Sequence, residues 1–388
     1  MYMNVLVLGN SDSVFIRDFA TYVLNGENIN AVILTPTLSK NYKKDYALHH
    51  IREVKWPAPF LTAISERKDV VALRIKAQKE LKQEIGFGEN IDVLHMHLVE
   101  PMHLLYFFSF WKKAKKKVLT FWGSDILRAS GNKTKLFPYF LKHATSIVFM
   151  IQNQCDFFHT IFGHKYDDKI HIIDFGNSLL DVIDLVEEKY SIIECKQHFG
   201  LSKDKYIVHI GYNAFKAQQH IKILKSMRLI PSELLQKMQL VFHVSYGQED
   251  DFGDYKSQMI EIMQKSKIDF VFFDDYLQSE ELAKFRRTCD IFIYGQKTDA
   301  RSASPLEYIY AGAKFICPGW LADNYELLDK AGIPFFIYDD FEHLPNAVDA
   351  CVREMNLTEE NISANSKKRV RDEISWDSLA DQWRQLYE

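Results

Sequence analysis

The sequence lacks the features that mark membrane, secreted and nucleic-acid-binding proteins. No run reaches the roughly 18 apolar residues of a membrane-spanning helix, and no charged-then-apolar signal segment precedes the first apolar strand. The formal net charge of −4 provides no global basic field, so nucleic acid is not an expected partner. The five cysteines form no C-x-x-C pair. These absences predict a reduced, cytoplasmic protein without a structural zinc site.

The length of 388 residues exceeds what one hydrophobic core organises, because single cores stop growing near about 250–300 residues. Hydrophobic residues make up 47% and charged residues 26%, which is a globular profile. The composition becomes charged and strand-free after residue 180. We therefore predict a first domain at 1–180, a linker at 181–204 and a second domain at 205–370.

Apolar strands alternate with helical patterns in both halves, which predicts an α/β protein with two parallel sheets. The strands predicted in the first half are Asn4–Leu8, Ala31–Leu34, Asp92–Met96, Lys117–Phe121, Ser146–Met150 and Ile170–Ile173. Those predicted in the second half are Tyr206–Ile210, Gln239–Val244, Phe270–Phe273, Asp290–Tyr294 and Lys314–Cys317.

Polar residues follow two strands of the first half, where parallel sheets open their ligand crevice. Asn10, Ser11 and Asp12 follow the first strand, and His97 follows the strand at 92–96. The first turn lacks the G-x-G-x-x-G fingerprint, so a dinucleotide site is disfavoured, and tight-turn chemistry alone is the alternative. His95 is predicted to be a core residue.

Asp125 follows the strand at 117–121 in the run Trp122-Gly123-Ser124-Asp125, with Arg128 behind it. This position places a carboxylate within reach of a substrate hydroxyl. The alternative role is capping of the following helix, and the two roles are compatible.

The stretch from Asp299 to Gly319 predicts a helix whose first turn carries Ser302 and Ser304. Free backbone N–H groups and the positive dipole end of such a helix attract phosphate. Asp299 lies in the loop before this helix with Arg301, whereas Glu307 lies within the first turns. We expect these side chains to face one cleft; an ordinary helix with a solvated Glu307 is the alternative.

This pattern resembles the donor site of the retaining glycosyltransferases of family 4. In that family two acids eight residues apart flank a helix N-terminus that precedes a Gly-x-x-hydrophobic strand. The family's usual first acid is Glu, and here it is Asp299. The family also often has His-Gly-Ser-Asp where this chain has Trp122 followed by Gly-Ser-Asp. The turn Phe175-Gly176-Asn177 is similar to the Pro-Asn-Gly turn that closes the family's first domain.

The resemblance implies the GT-B fold, with two Rossmann-like domains whose parallel sheets face a central cleft. It also implies that residues 371–388 form a closing helix that crosses back to the N-terminal domain. The implied activity is metal-independent transfer of a sugar from a nucleotide-diphospho-sugar to a hydroxyl of a glycan or lipid-linked acceptor, as in bacterial surface polysaccharide synthesis. No cofactor is expected.

The resemblance implies a role for each candidate residue. Glu307 would bind the ribose hydroxyls, Asp299 the sugar hydroxyls, and Arg301 or the helix N-terminus the diphosphate. Lys216 and His220 would serve the diphosphate too, or are ordinary surface residues. The candidate catalytic residues are Asp125, Asp299 and Arg301. The candidate donor-binding residues are Glu307, Ser302, Ser304, Lys216, Gly211, His220 and Tyr276. The candidate acceptor-binding residues are Asn10, Ser11, Asp12, His97, Trp122 and Arg128.

A weaker likeness concerns the turn Ser245-Tyr246-Gly247 and the segment 211–220. These are similar to the transferases that add 4-acetamido-fucose to lipid-linked enterobacterial common antigen, which invert and use a polyprenyl-diphosphate acceptor. The outcome at the sugar, retaining or inverting, therefore stays open.

A local feature predicts contact with an anionic membrane surface. The apolar run Leu104–Trp111 is followed by a lysine cluster, each lysine contributing up to about 1 kcal/mol on anionic lipid. The cluster consists of Lys112, Lys113, Lys115, Lys116 and Lys117. The alternative is a core-facing helix with a solvated basic end.

Two other functions remain open. A nucleotide-sugar 2-epimerase shares the two-domain fold. A catalytically silent GT-B subunit that binds glycan or a partner enzyme is favoured by the departures at Asp299 and Trp122.

Overall fold

The structure is a computed structural model that describes residues 2–56, 79–87, 90–100, 107, 109–357 and 362–388. The chain divides into two compact units. The first unit comprises Met1–Gly176 and Ile374–Glu388, and the second comprises Asn177–Glu373. Within the described residues, we find no helix that is both long enough and apolar enough to cross a membrane.

The first unit contains a seven-stranded parallel sheet in its described part. Its strands are β1 (Met3–Leu8), β2 (Ile29–Thr35), β3 (Arg52–Lys55), β4 (Ile91–His97), β5 (Ala114–Thr120), β6 (Ser146–Phe149) and β7 (Ile170–Ile172). The strand order is β3-β2-β1-β4-β5-β6-β7. The six strands predicted for this half are confirmed, although β5 begins three residues before the predicted start.

Helices alternate with these strands. In the described part of the first unit they are α1 (Val14–Phe19), which continues as a π-helix over Ala20–Leu24, α2 (Lys43–Leu48), α3 (Ser124–Leu127), α4 (Gly131–Thr134), α5 (Phe137–Leu141), α6 (Gln152–Phe162) and a closing helix, Trp376–Gln385.

Both faces of the first sheet are covered. In β1, Leu6 and Leu8 pack into one hydrophobic cluster, whereas Val5 and Val7 pack into the other. This double burial explains why the parallel strands appear in the sequence as continuous apolar runs. The closing helix packs on the same unit, where Trp383 Nε1 donates to the carbonyl oxygen of Asp174 at 2.9 Å.

The second unit contains a six-stranded parallel sheet in its described part. Its strands are β8 (Tyr206–Ile210), β9 (Met238–His243), β10 (Asp269–Phe273), β11 (Ile291–Ile293), β12 (Lys314–Pro318) and β13 (Phe336–Tyr338). The strand order is β10-β9-β8-β11-β12-β13. The five predicted strands are confirmed, and β13 was not predicted.

The segment 181–204, which we expected to be a linker, is largely helical and belongs to the second unit. Its helices bury apolar residues such as Leu180, Ile183 and Cys195. The helices of the second unit, together with the closing helix, are α7 (Leu179–Lys189), α8 (Ile192–His198), α9 (His220–Met227), α10 (Ser232–Leu235), α11 (Phe252–Lys265), α12 (Ser279–Arg287), α13 (Ala303–Tyr310), α14 (Glu326–Ala331), α15 (Leu344–Met355), α16 (Ala364–Ile374) and α17 (Trp376–Gln385).

The two sheets have the same type of topology. In each, the first strand of the unit lies inside the sheet, and later strands are added first on one side of it and then on the other. The order therefore reverses between β1 and β4 in the first unit and between β8 and β11 in the second. Ligands of doubly wound folds bind at such switch points, beyond the carboxyl ends of the strands. The loops after these four strands are therefore the places where a site is expected.

Candidate functional site

In the second unit, the 294–302 loop connects β11 to α13 and is organised by one carboxylate. Asp299 accepts hydrogen bonds from the hydroxyls of Tyr294 (2.9 Å) and Tyr325 (3.2 Å), and from Ser302 through both its backbone N–H (2.8 Å) and its hydroxyl (2.6 Å). Asn324 Nδ2 also donates to the carbonyl oxygen of Asp299 at 2.8 Å. Four donors use most of the acceptor capacity of the carboxylate, so Asp299 fixes the shape of this loop.

The helix predicted after this loop is confirmed as α13, with Ser302 as its N-cap residue. The Ser302 side chain makes no capping hydrogen bond to the helix, and its hydroxyl donates to Asp299. The first N–H groups of α13 therefore lack the usual side-chain acceptor from the N-cap residue. This helix start has the electrostatic character that favours an anion.

Glu307 lies on α13 and is 8% exposed. Its Oε2 accepts from Arg286 Nε at 3.0 Å, and its Oε1 accepts from Asn177 Nδ2 at 3.4 Å. Arg286 also donates through Nη2 to Ser304 Oγ at 3.2 Å and stacks on the ring of Tyr308 at 4.1 Å. Glu307 is thus not a solvated surface acid. It is held by a buried arginine that also contacts the first turn of α13.

Arg286 is 3% exposed, and its Nη1 has no hydrogen-bond partner among the described residues. Burial disfavours its charge, but the fields of Tyr308 and Glu307 outweigh burial and raise its pKa above the ordinary value. Sequence reasoning missed Arg286 and Asn177. Nothing in the run around Arg286 distinguishes it from a surface arginine at the end of α12.

Arg301 adopts a left-handed backbone conformation with φ of 59°. This region is unfavourable for a non-glycine residue by about 1–2 kcal/mol. Backbone strain of this kind is concentrated at functional sites. The strained residue here is also the arginine predicted to contact the diphosphate, and it directly precedes the N-cap residue of α13.

The turn after β8 lies next to this loop. Tyr212 is hydrogen-bonded to Ser302 through their hydroxyl oxygens at 2.9 Å. Gly211 has a φ of 64°, and a Cβ there would lie 2.9 Å from His220 Nε2. His220 is 1% exposed, and burial lowers its pKa to about 4. A neutral His220 beneath the turn can offer a hydrogen bond but no positive charge at neutral pH.

Lys216 follows the same turn and is paired with two acids. Its Nζ contacts the Asp251 carboxylate and lies 3.7 Å from Glu249 Oε2. This pairing, led by the hydrogen bond that Lys216 donates to Asp251, raises the pKa of Lys216. A diphosphate would have to compete with both acids for this cation. Tyr276, another candidate of the second unit, is 63% exposed.

In the first unit Asp125 is completely buried. Its Oδ2 accepts from the backbone N–H of Val99 at 2.7 Å, and its Oδ1 accepts from those of Trp122 and Gly123, each at 3.0 Å. Burial raises the pKa of Asp125 to about 7, although the bond from Val99 opposes this shift. Asp125 joins the loops after β4 and β5, so its geometry is that of a loop-organising group.

The turn after β1 is also tied internally. Ser11 is fully buried and donates to Glu53 Oε1 at 2.5 Å. Asp12 Oδ1 accepts from Ser39 Oγ and from the backbone N–H groups of Lys40 and Asn41 at 3.0–3.1 Å. Asn10 is exposed at the same turn. Of these three acceptor-site candidates, Asn10 presents the most accessible side chain.

His97 and Trp122 lie together at the ends of β4 and β5. Trp122 Nε1 donates to His97 Nδ1 at 3.4 Å, and the ring of His97 stacks on that of His95 at 4.0 Å. The prediction of His95 as core is confirmed, since it is buried and bonded to Thr120 and Tyr387 at 2.7 Å. Arg128 is exposed on the C-terminal side of α3.

The structure therefore groups the candidates into two sets, one in each unit. In the second unit, Asp299, Ser302 and Glu307 converge around α13, joined by the unpredicted Arg286 and Tyr212. In the first unit, His97, Trp122 and Asp125 converge at the ends of β4 and β5.

In the apolar run Leu104–Trp111, which was predicted to contact a membrane, residues 104–106 and 108 lie outside the described residues. Phe107 and Phe110 are core residues.

Comparisons with known proteins concern the family and the fold of this chain. Residues 4–152 match a family model described as "Glycosyl transferase 4-like". None of the curated proteins compared with the chain matches it.

Solved structures match over nearly the whole chain. Anabaena HepE in complex with UDP and glucose has 12% identity and a TM-score of 0.72, with 99% of each chain covered. A glycosyltransferase from Rickettsia africae has 15% identity and a TM-score of 0.72, covering 100% of this chain and 98% of the other. Sucrose-phosphate synthase from Thermosynechococcus elongatus has 12% identity and a TM-score of 0.73, covering 99% and 98%. These structures show that the fold is GT-B, and the family model confirms the resemblance to family-4 glycosyltransferases over residues 4–152.

Proposed function

We propose that this protein is a glycosyltransferase that moves a sugar from a nucleotide-diphospho-sugar to a hydroxyl of a glycan or lipid-linked acceptor. The observation that carries this proposal is the acid pair around α13. Asp299 shapes the loop before the helix and Glu307 lies within it, on a GT-B fold. That Anabaena HepE, with the same fold, was solved with UDP and glucose supports a nucleotide-sugar donor.

Glu307 is suited to bind the ribose of the donor. A carboxylate has about four lone-pair sites, and the bonds from Arg286 and Asn177 occupy two of them. The remaining sites can accept from two hydroxyl groups. Arg286 fixes the orientation of the carboxylate before the donor arrives, so little side-chain freedom is lost on binding.

The diphosphate would lie at the start of α13, close to Arg301. Negative charge grows on the diphosphate as it leaves the sugar, and a helix N-terminus and a guanidinium stabilise that charge more strongly than the ground state. Direct contact of Asp299 with the donor sugar remains a prediction. Among the described residues its Oδ1 accepts only from the Ser302 hydroxyl, so this oxygen keeps acceptor capacity for a sugar hydroxyl.

We also propose that the transfer needs no divalent metal, because α13 and Arg301 supply positive charge where a metal would otherwise act. Full turnover after chelation supports this proposal, and activity restored only by added metal contradicts it. Asp125 is proposed to act through the loops it holds, as a positioning residue for the acceptor side.

The test is product analysis with labelled nucleotide-sugars. Release of nucleotide diphosphate that depends on an acceptor supports transfer. Conversion of the donor to its 2-epimer without acceptor indicates the epimerase. The absence of any thermal shift across a panel of nucleotide diphosphates indicates the silent subunit, for which the Asp at 299 and the Trp at 122 are the supporting features.

The acceptor is proposed to belong to bacterial surface polysaccharide synthesis and to be presented at an anionic membrane surface. The exposed Lys112 and Lys115 support the second part. The burial of Phe107 and Phe110 removes those two side chains as inserting groups. Any such contact is therefore proposed to be electrostatic.

A further inference from the structure

Two histidines and an aspartate meet at the C-terminal end of α6, in the first unit. His159 Nε2 lies 2.9 Å from Asp167 Oδ1, and His164 Nδ1 lies 2.9 Å from Asp167 Oδ2. One ligand atom from each of the three lies within 4.8 Å of the other two. We call these three residues the His159 cluster. None of them belongs to either set of candidate residues described above.

Local folding explains how the cluster forms. α6 ends at Phe162, and Gly163, with a φ of 62°, reverses the chain. The short 3₁₀ helix that begins at Asp167 then returns the carboxylate to the last turn of α6. Phe158 and Tyr166 are buried beneath the turn and fix its backbone. The cluster is therefore presented by a supported turn.

The chemistry of this set is that of a transition-metal site. Two imidazole nitrogens and a carboxylate oxygen are common ligands of Zn²⁺, whereas Ca²⁺ and Mg²⁺ prefer oxygen ligands only. Metal–ligand bonds of about 2.0–2.2 Å in tetrahedral geometry place ligand atoms about 3.4 Å apart. The present 2.9 Å contacts would open by about 0.5 Å, and the most widely separated ligand atoms, which lie within 4.8 Å of each other, would close by up to about 1.4 Å. The side chains of His164 and Asp167 are 75% and 49% exposed, so they can make this adjustment and an ion can reach them.

We propose that the His159 cluster binds a divalent transition cation of the Zn²⁺ class, with water in the fourth position. The ion would replace the two imidazole–carboxylate hydrogen bonds and join the end of α6 to the following turn. This site is independent of the proposed sugar transfer. It also departs from the expectation of no structural zinc, which rested on the lack of a C-x-x-C pair. Cys155 Sγ lies 3.8 Å from His159 Nε2 but is assigned no place among the ligands.

The test is titration of the metal-stripped, untagged full chain with Co²⁺ and Zn²⁺. Co²⁺ should give visible d–d absorption at one ion per chain without a thiolate charge-transfer band, and Zn²⁺ should raise the thermal midpoint. His164→Ala and Asp167→Asn should weaken binding roughly tenfold or more. The control is His198→Ala, which removes the histidine of a His198–Glu281 pair with a 2.6 Å contact. This variant should bind Co²⁺ and Zn²⁺ like the parent.

No binding of either ion, or equal affinity in His164→Ala and the parent, overturns the site. A thiolate band overturns the assigned ligand set. Because His164 is mostly exposed, its variant should fold like the parent, which circular dichroism checks directly.

Discussion

Arg286 donates its Nε–H to Glu307 Oε2 at 3.0 Å, and both side chains are buried. Breaking such a pair by removing one partner typically costs about 3–5 kcal/mol, because the other charge is left uncompensated. Glu307→Ala therefore tests stability and donor binding at once. Glu307→Gln keeps the size of the side chain and an acceptor oxygen, and it is the better probe.

We expect Glu307→Gln to lower nucleotide diphosphate affinity at least tenfold. Hydrogen bonds to a charged acceptor contribute about 1.5–3 kcal/mol each, and a neutral amide accepts more weakly. Isothermal titration calorimetry on the folded variant measures the change. The control is Glu326→Gln, which neutralises an exposed acid on α14. Unchanged binding by Glu307→Gln would show that Glu307 does not contact the donor.

The strands and the loops at their ends could be predicted because a parallel strand buried on both faces is a continuous apolar run. Val5–Leu8 is an example, with all four residues fully buried. The residues at the switch points follow from the same pattern, since parallel strands end at one edge of the sheet. α13 could also be predicted, from Ser302 and Ser304 at its start.

The role of Arg286 could not be predicted, because it depends on tertiary packing over Tyr308 and not on local spacing. The segment 181–204 was misread for a related reason. Its charged residues suggested a linker, but Leu179, Ile183 and Val186 recur at helical spacing and form a buried face of α7. The many charged residues of this segment concealed the helical spacing of its apolar residues.

A matched pair of substitutions separates the charge of Arg301 from its backbone conformation. Arg301→Ala removes the guanidinium and keeps the strain at φ of 59°, whereas Arg301→Gly removes both. We expect both variants to lose turnover more than donor affinity, because the charge acts mainly on the departing diphosphate. The glycine variant should be more stable than the alanine variant by about 1 kcal/mol.

Kinetics at saturating donor and acceptor, with thermal unfolding, measure both effects. If Arg301→Ala turned over like the parent, the arginine would have no part in transfer. If the glycine variant were no more stable than the alanine variant, the left-handed conformation would carry no cost.

We expect the buried Asp125 to make the stability of the folded protein depend on pH. Burial raises its pKa to about 7 in the folded protein, from an ordinary value of 3.8. The folded state therefore binds this proton more tightly than the unfolded state, so the contribution of Asp125 to stability falls as pH rises from about 4 to 7. Asp125→Asn does not titrate. The thermal midpoint of the variant minus that of the parent should rise between pH 5 and 7 and level off above about 8.

Other carboxylates titrate in both proteins and cancel in this difference. A difference that does not change with pH would show that Asp125 stays ionised, held by the three N–H donors of Val99, Trp122 and Gly123. The comparison thus decides between burial and hydrogen bonding as the dominant influence on this carboxyl group.

The last prediction is membrane contact, and the exposure of the side chains shows which residues to substitute in its test. Phe107 and Phe110 are core residues, whereas Lys112 and Lys115 are exposed and Lys116 is half-buried. We expect the parent to co-sediment with anionic vesicles at low salt and to be released by about 0.5 M salt, because exposed charges are screened. Neutral vesicles should not bind it.

The informative variant changes Lys112, Lys115 and Lys116 to Gln. Lys117 stays in place, because its Nζ donates to the Ala114 carbonyl. The control changes three exposed lysines of the second unit to Gln: Lys237, Lys265 and Lys330. Both variants lose the same net charge, so a surface-specific contact is lost only in the first. Equal loss of vesicle binding in both variants would indicate a nonspecific attraction between the protein and anionic lipid. No binding by the parent at any salt would remove the membrane proposal and make a soluble acceptor the better hypothesis.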